Sequence, residues 1–285
     1  MTDGDRNPRA RATDGLFVCT VAGCGEVLAL DERRFVCTRG HAFDVAREGY
    51  VNLLQPNDRR SLAAGDSAES IDARARLHES GRLAHVTAAL VAAACAHTAA
   101  SDALSDLGCG SGHVLAALAA AGRAHLVGFD LSAHAARRAA RVASPARIAV
   151  ANVDRGVPLA DASLAAALSV FGPRPTAELA RILAPNGTLI VAVPAADDLV
   201  ELRALATGEG RLEERSAAAL AALAPAFELE ERHTVRAAHD FDAAGLADLS
   251  AASYRAARHE QRARVAAVSS LSVTIAADVL ILKRR

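Results

Sequence analysis

The sequence predicts an α/β protein in which a doubly wound parallel sheet follows a small cysteine-rich module. From about residue 100 onward, short apolar runs alternate with helix-like stretches, which indicates βαβ units. A glycine-rich segment joins the first run to its helix, and residues 15–60 hold three of the five cysteines. We therefore expect four regions: a flexible tail at 1–14, a metal-binding module at 15–60, a helical connector at 61–99 and the sheet domain at 100–285.

Composition and charge exclude several classes of protein. The chain has 285 residues, of which 52% are hydrophobic and 23% charged, so it can bury a sizeable core. It has no apolar run long enough to span a bilayer. Residues 1–14 lack the apolar segment of a secretory signal, so we expect a cytoplasmic protein without membrane contact. A net charge of −1 lacks the global signature of a nucleic-acid-binding protein, so any such contact must be local.

Two pairs of residues in the module have the spacing of metal ligands. Cys19 and Cys24 are followed, after twelve intervening residues, by Cys37 and His41. Three thiolates and one imidazole form a tetrahedral donor set that suits a structural Zn²⁺ ion. Core burial alone cannot stabilise so small a module, so the metal would supply much of its folding free energy. The alternative interpretation is free buried cysteines beside a surface histidine.

Periodicity and turn residues predict the elements that follow the module. The connector is expected to begin a helix near Ser67 and to carry apolar positions at Leu83, Val86 and Leu90. The predicted strands of the sheet domain are 103–107, 125–129, 148–151, 164–171 and 189–193, with two more at 227–235 and 273–282. The predicted helices between them are 114–121, 133–142 and 176–183. Strands that alternate with helices in this way form a parallel sheet with helices on both faces.

The loop after the first predicted strand has the pattern Asp-x-Gly-x-Gly-x-Gly. This spacing allows close approach to a ligand, and by itself it fits a dinucleotide, a mononucleotide or no ligand. A carboxylate before the glycines would repel a pyrophosphate but can accept from an ammonium group, and Asp130, after the second strand, can take both ribose hydroxyls. Together they predict a site for S-adenosyl-L-methionine, with a vestigial fold as the alternative. The residues of this predicted site are Asp106, Gly108, Gly110, Ser111, Gly112 and Asp130.

The ends of the third and fourth strands extend the prediction. Asn152 and Val153 follow the third strand and are placed to frame an adenine, although an ordinary turn at a strand end is the alternative. The fourth strand ends in Ser169-Val170-Phe171-Gly172-Pro173. Methyltransferases that act on exocyclic amines often carry an acidic or Asn-Pro-Pro-aromatic motif there. The absence of that motif points away from adenine N6 chemistry.

The residues around the second metal-ligand pair resemble a known family. The segment that runs from Phe35-Val36-Cys37 through His41 to Tyr50-Val51-Asn52-Leu53-Leu54 is similar to the signature of the 23S rRNA (guanine-N1)-methyltransferases. The later blocks at 65–69, 73–74, 81 and 177–187 are also similar to blocks of that family. The resemblance covers roughly residues 17–205.

This resemblance implies a Rossmann-like class I methyltransferase sheet behind a zinc-ribbon-like module, with zinc at the four residues named above. It implies cofactor contacts at Gly110 and Ser111, and at the positions occupied here by Leu83 and Asp198, where the family usually has tyrosine and histidine. It also implies 23S rRNA as the partner, with methylation at N1 of a guanine in a hairpin loop. In some members this modification gives macrolide resistance, and members tend to form homodimers.

The sequence defines the acceptor side of the site less sharply. Asp66 is the candidate polar group near the cofactor pocket, and a helix N-terminal cap or a solvated turn is its alternative role. Two other functions remain open. One is a methyltransferase of a small natural product that uses the zinc module as a substrate lid. The other is a zinc-ribbon binding protein with an inactive sheet domain, against which the intact Asp106 and Asp130 argue.

Overall fold

The computed structural model describes residues 15–56, 66–210, 212, 214–253 and 259–285. The flexible tail predicted at 1–14 lies outside the described residues, as do residues 57–65 where the module meets the connector. Across the described ranges, no helix is both long and apolar enough to cross a membrane.

The N-terminal module contains a small antiparallel sheet and one strand that leaves it. Within residues 15–56, the small sheet consists of β1 (Ala29–Asp31), β2 (Arg34–Val36) and β3 (Ala42–Asp44) in that order. The next strand, β4 (Tyr50–Asn52), pairs in parallel with a strand of the main sheet, with Val51 opposite Ala149. The module is therefore joined to the rest of the protein by backbone hydrogen bonds as well as by the chain.

The main sheet is doubly wound, as the sequence predicts. Its further strands are β5 (Ala103–Leu107), β6 (His125–Asp130), β7 (Arg147–Val150), β8 (Leu164–Val170), β9 (Leu183–Pro194), β10 (Phe227–Asp242) and β11 (Ser270–Arg284). In the described chain the order is β10-β11-β9-β8-β5-β6-β7-β4, with β4 to β9 parallel and β10 and β11 antiparallel. The winding reverses between β5 and β8, and ligands bind at such switch points, beyond the carboxyl ends of the strands.

Helices and the module cover the two faces of this sheet. The helices are α1 (Ala68–Glu79), α2 (Ala84–His97), α3 (His113–Ala120), α4 (Ala133–Val142), α5 (Thr176–Ile182), α6 (Val200–Thr207), α7 (Ser216–Leu223), α8 (Ala243–Ser253) and α9 (His259–Ala266). One face packs on α2, α3 and α4, and the opposite face packs on α5, α7 and the module. A third apolar cluster joins α1, α6, α8 and α9 to β11, and this cluster fixes α1 beside the sheet.

Most element boundaries agree with the sequence predictions, and the exceptions are β9, which begins at Leu183 and not at 189, and the two strands at the C-terminal edge. Ser67 caps α1, since its hydroxyl accepts a hydrogen bond from the Ser70 amide at 3.1 Å. The strands predicted at 227–235 and 273–282 are longer than expected, because β10 and β11 pair with each other from Phe227 opposite Arg284 to Asp242 opposite Ser270. The exposed residues of β10 lie mainly in its first half. Its second half alternates between inner and exposed positions, but Ala237 and His239 on the inner face are only weakly apolar, so the strand pattern in the sequence is faint.

Candidate metal centre and cofactor pocket

The four predicted metal ligands lie together at one end of the small sheet. The Sγ atoms of Cys19, Cys24 and Cys37 and a ring nitrogen of His41 all lie within 4.8 Å of one another. Two backbone turns hold them, since the Cys24 amide donates to the Val21 carbonyl at 2.9 Å and the Cys37 amide donates to the His41 carbonyl at 3.0 Å. The structure thus brings all four side chains to one point.

The distances between the donor atoms fit a tetrahedral zinc ion. With Zn–S bonds of about 2.3 Å, two sulfurs of a tetrahedron are about 3.8 Å apart. The Sγ atoms of Cys24 and Cys37 are 3.9 Å apart, and His41 Nδ1 lies 3.4 Å from the sulfurs of both Cys19 and Cys37. These separations are far longer than the disulfide bond length of about 2.05 Å. Donor chemistry and spacing both suit Zn²⁺.

Aromatic packing connects the metal centre to the main sheet. Phe17 is fully buried, and its ring lies 5.3 Å from the ring of Phe35 in β2 and 5.9 Å from that of Phe129 in β6. All three rings belong to one continuous apolar core. The module therefore packs as a layer of the α/β domain.

The glycine-rich loop lies at the switch point of the main sheet, between β5 and α3. The amides of Gly108 and Cys109 both donate to the Phe129 carbonyl at 2.8 Å, which ties the loop to the end of β6. Gly112 has φ +84°, and a Cβ there would lie 2.7 Å from the Cα of Ala139 in α4. Gly110 has φ +53°, but a Cβ there would meet nothing within 4 Å. Glycine at 112 thus permits α4 to pack closely against the loop, whereas Gly110 borders open space.

Asp106 has the environment expected of a ligand-binding carboxylate. It is 1% exposed, and its Oδ1 atom has no hydrogen-bond partner among the described residues. Burial, with a smaller contribution from the negative charge of Asp130, raises the pKa of Asp106 to about 7. A cationic ligand group would supply both the missing partner and a balancing charge, so this residue fits the ammonium group of an amino acid.

Asp130 holds the loop itself. Its Oδ2 atom accepts from the Gly110 amide at 2.9 Å, and its Oδ1 atom accepts from the Ser132 amide at 2.8 Å. Burial raises the pKa of Asp130, and the hydrogen bonds from these amides oppose that rise. Each carboxylate oxygen can accept a second hydrogen bond, so a ribose diol remains compatible with the site.

A cavity that is partly open to solvent adjoins the loop. The loop residues of the predicted cofactor site contribute to its lining, and so does Leu83, at the start of α2. The sites that proteins use for small molecules are mostly apolar with a few polar groups. The predicted cofactor contacts in the lining are Leu83, Asp106, Gly108, Gly110 and Ser111.

The cavity lining does not include the other predicted residues, which are Gly112, Asp130, Asn152, Val153, Asp198 and the candidate Asp66. Asn152 and Val153 are buried directly after β7, where the Asn152 carbonyl accepts from the Arg155 amide in a turn. Asp198 precedes α6, and its Oδ1 atom accepts from the Ala276 amide at 2.9 Å; burial raises its pKa to about 6. Asp66 Oδ2 lies 2.7 Å from a terminal nitrogen of Arg74. Their roles in cofactor binding or catalysis stay predictions.

Sequence reasoning missed several side chains that line the cavity. The rings of His78 in α1 and His113 in α3 stack with centroids 4.7 Å apart and planes 2° apart. Burial, with the neighbouring His113 and Arg74, lowers the pKa of His78 to about 3. Burial also lowers the pKa of His113, so both rings are neutral near pH 7. No spacing signal links two residues that are 35 positions apart (113 minus 78).

Comparison with known proteins finds relatives for both parts of the chain. Residues 17–62 match the family model described as "RlmA, N-terminal", a zinc ribbon, and residues 105–187 match the model described as "Methyltransferase domain". A 23S rRNA (guanine(748)-N(1))-methyltransferase of Streptomyces fradiae is 39% identical over 231 residues, which is 76% of this chain and 79% of that protein. A Micromonospora griseorubida protein, assigned as a 23S rRNA (guanine-N(1)-)-methyltransferase, is 37% identical over 198 residues, covering 63% of this chain and 66% of that protein.

Solved structures agree on the fold. A crystal structure of a Bacillus halodurans C-125 protein, assigned as a methyltransferase, superposes with a TM-score of 0.50 at 16% identity, covering 69% of this chain and 97% of that chain. At this identity the similarity bears on the fold alone. The predicted class I methyltransferase sheet with an N-terminal zinc-ribbon module is confirmed.

Proposed function

The chain belongs to the family of 23S rRNA (guanine-N1)-methyltransferases, and on this premise we propose that it methylates N1 of a guanine in a hairpin loop of 23S rRNA. It is an S-adenosylmethionine-dependent methyltransferase with a zinc-binding module. The observation that carries the proposal is the 39% identity to the Streptomyces fradiae enzyme over 231 residues. This match is longer than either the zinc module or the sheet domain, so it cannot lie within one of them. The natural-product alternative has no comparable support.

The chain's own residues account for cofactor binding in this proposal. S-adenosylmethionine supplies a methyl group on a sulfonium, and its transfer is an in-line displacement that depends mainly on positioning. Asp106 would accept from the ammonium group, since its Oδ1 atom is buried without a partner among the described residues. Asp130 fixes the amide of Gly110 and so keeps the adjoining space open for the ligand.

The acceptor also requires a group that handles a proton. Guanine N1 is protonated at neutral pH, so its proton must be removed during the reaction. Asp66 is the proposed group, because it pairs with Arg74, whose side chain lines the cavity. If Asp66 is the base, Asp66→Asn should lower kcat and leave the dissociation constant of the cofactor unchanged.

The module is the second proposed contact with RNA. Several of its arginines are already engaged within the module: Arg33 donates to the Val45 and Ala46 carbonyls, Arg34 pairs with Asp31, and Arg39 donates to the Gly23 carbonyl. These bonds leave further guanidinium donors for phosphate oxygens. A flipped guanine would then be held by shape and stacking in the cavity beyond.

Three finer properties belong to the same proposal. A methyl group on a guanine that lines the ribosomal exit tunnel would reduce macrolide binding, so the enzyme would confer resistance. It would act as a homodimer, which light scattering after size-exclusion chromatography can measure. Its location would be the cytoplasm, where ribosomal RNA is available.

The test is a comparison of substrates with the intact protein. Purified enzyme is incubated with tritiated cofactor and either unmodified 23S rRNA or an extract of cellular metabolites, and labelled guanines are mapped by mass spectrometry. We expect label in one 23S rRNA guanine, as N1-methylguanine. Label that enters only the small-molecule pool would support the natural-product alternative instead.

A further inference from the structure

Phe171 differs from the other large aromatic residues in its exposure. Its side chain is 45% exposed directly after β8, whereas Phe17, Phe35, Phe129, Phe227 and Phe241 are at most 2% exposed. Together with Val170, it lines the cavity beside the glycine-rich loop. An apolar ring left open to solvent at the mouth of a ligand cavity is available to a further binding partner.

The backbone at Phe171 is also strained. Its φ is +52°, in the left-handed region that bulky residues rarely adopt. The Phe171 amide donates to the Ala192 carbonyl at 3.0 Å, and the Ser169 hydroxyl donates to the Pro173 carbonyl at 2.9 Å. Pro173 in turn lies against the loop, since a Cβ on Gly108 would be 2.9 Å from its Cδ. The surroundings therefore impose this conformation, and such strain concentrates at functional sites.

The strand order separates Phe171 from the nucleoside end of the cofactor site. Asp130 ends β6 and Asn152 follows β7, and both strands lie on one side of β5. Phe171 follows β8, on the other side of β5. A cofactor whose ribose and adenine extend toward β6 and β7 leaves the region at Phe171 for the acceptor.

The chemistry of the acceptor fits a neutral aromatic ring. Enzymes that modify a base take it out of its stack, and aromatic side chains hold such bases by their π-faces. The imidazoles of His78 and His113 lie in the same cavity and carry no charge near pH 7. We propose that Phe171 stacks on the flipped target guanine and orients its N1 edge toward the methyl donor. This inference rests on the proposed function.

Substitutions that distinguish the effect of the aromatic ring from the effect of apolar side-chain volume test this role. The variants are Phe171→Ala, Phe171→Leu and Phe171→Trp, with Leu229→Ala as the matched control. Leu229 is 40% exposed and lies in β10, three strands away from β8 in the sheet. For each protein, kcat and KM are measured with unmodified 23S rRNA transcribed in vitro, and the dissociation constant of S-adenosylmethionine is measured by calorimetry.

Stacking predicts that Phe171→Ala and Phe171→Leu lower kcat/KM for the RNA about 5- to 150-fold. Phe171→Trp and Leu229→Ala should stay close to the wild type, and cofactor affinity should change by less than about twofold in every variant. If Phe171→Ala fails to fold, Phe171→Leu retains an apolar side chain and still removes the ring.

Two results would overturn the inference while the wild-type enzyme methylates 23S rRNA. One is wild-type activity of Phe171→Leu, which would show that apolar volume suffices. The other is an equal loss of cofactor affinity, which would place the ring against the cofactor. A wild-type enzyme that methylates no guanine in the transcript would overturn the proposed function, and this inference with it.

Discussion

The metal centre and the cofactor loop are two ligand sites built by opposite means. The metal centre uses four side chains, and the strands that hold it are only three residues long. The cofactor loop uses mainly backbone groups, anchored to the buried strands β5 and β6. The first site should therefore depend on its ligand for folding, whereas the second should fold without one. The following predictions test this difference, beginning with the largest effect.

Loss of one zinc ligand should have the largest effect. Structural zinc contributes about 10–16 kcal/mol of apparent binding free energy in small zinc modules. Cys37→Ser should therefore abolish bound zinc, measured by elemental mass spectrometry, and lower the melting temperature. Cys95→Ser, which changes a half-buried cysteine of α2, is the control and should retain one zinc per chain. Unchanged zinc content of Cys37→Ser would refute this dependence of the module on its metal.

Phe17→Ala tests how strongly the module and the sheet are coupled. Truncation of a buried phenylalanine typically costs about 3–5 kcal/mol. Because Phe17 contacts rings in both the module and β6, chemical denaturation should show a destabilised protein that still unfolds in one transition. Phe43→Ala, at a half-buried position of β3, should cost less. Two separate transitions in the wild type would show that the module folds independently.

Two glycines of the loop should respond differently to the same change. Gly112→Ala forces a Cβ against Ala139 at positive φ, so overpacking and backbone strain together should cost about 2–5 kcal/mol. Gly110→Ala carries only the backbone strain, about 1–2 kcal/mol. Its added methyl group would fill the ligand space, however, and should weaken cofactor binding about tenfold, or about 1.4 kcal/mol. Equal stability of the two variants would contradict the packing role of Gly112.

The most gradual of the expected effects is a pH dependence at Asp106. Because burial raises the pKa of Asp106 to about 7, the cofactor ammonium group should bind about tenfold more weakly for each pH unit below 7. The effect on folding has the opposite sign. Because the folded state holds this proton more tightly than the unfolded state, protonation of Asp106 stabilises the cofactor-free fold. The contribution is fully present below the unfolded-state pKa of 3.8 and is lost as the pH rises through the folded-state pKa of about 7.

Calorimetric titration of the cofactor between about pH 5.5 and 8.5, paired with thermal melts of the cofactor-free protein, would reveal both trends. Asp106→Asn is the control, since it should bind weakly at every pH and should remove this slope from both measurements. Equal slopes in the variant and the wild type would assign the titration to another group.

The sequence predicted the local features of the fold well. The strand predicted at 103–107 has those bounds, and spacing and residue type alone predict four zinc ligands whose donor atoms lie within 4.8 Å of one another. The pairing of β4 with β7 could not be predicted, because it joins Tyr50 to Ile148 across 98 positions (148 minus 50). The domain boundary predicted at residue 60 separates β4 from β7, although the two strands are hydrogen-bonded neighbours in one sheet. The end of β10 was not predicted because the inner positions of its alternating pattern include Ala237 and His239, which are only weakly apolar.

The sequence by itself determined the donor chemistry of the metal site, the flexible glycine pattern and the family, because these depend on residue types a few positions apart. Tertiary structure alone decided that Asp106 lacks a partner among the described residues while Asp130 supports the loop. It also decided that the exposed ring of Phe171 and two distant histidines line one cavity. The physical reason is that desolvation, close packing and strain arise between groups that only the folded sheet brings together.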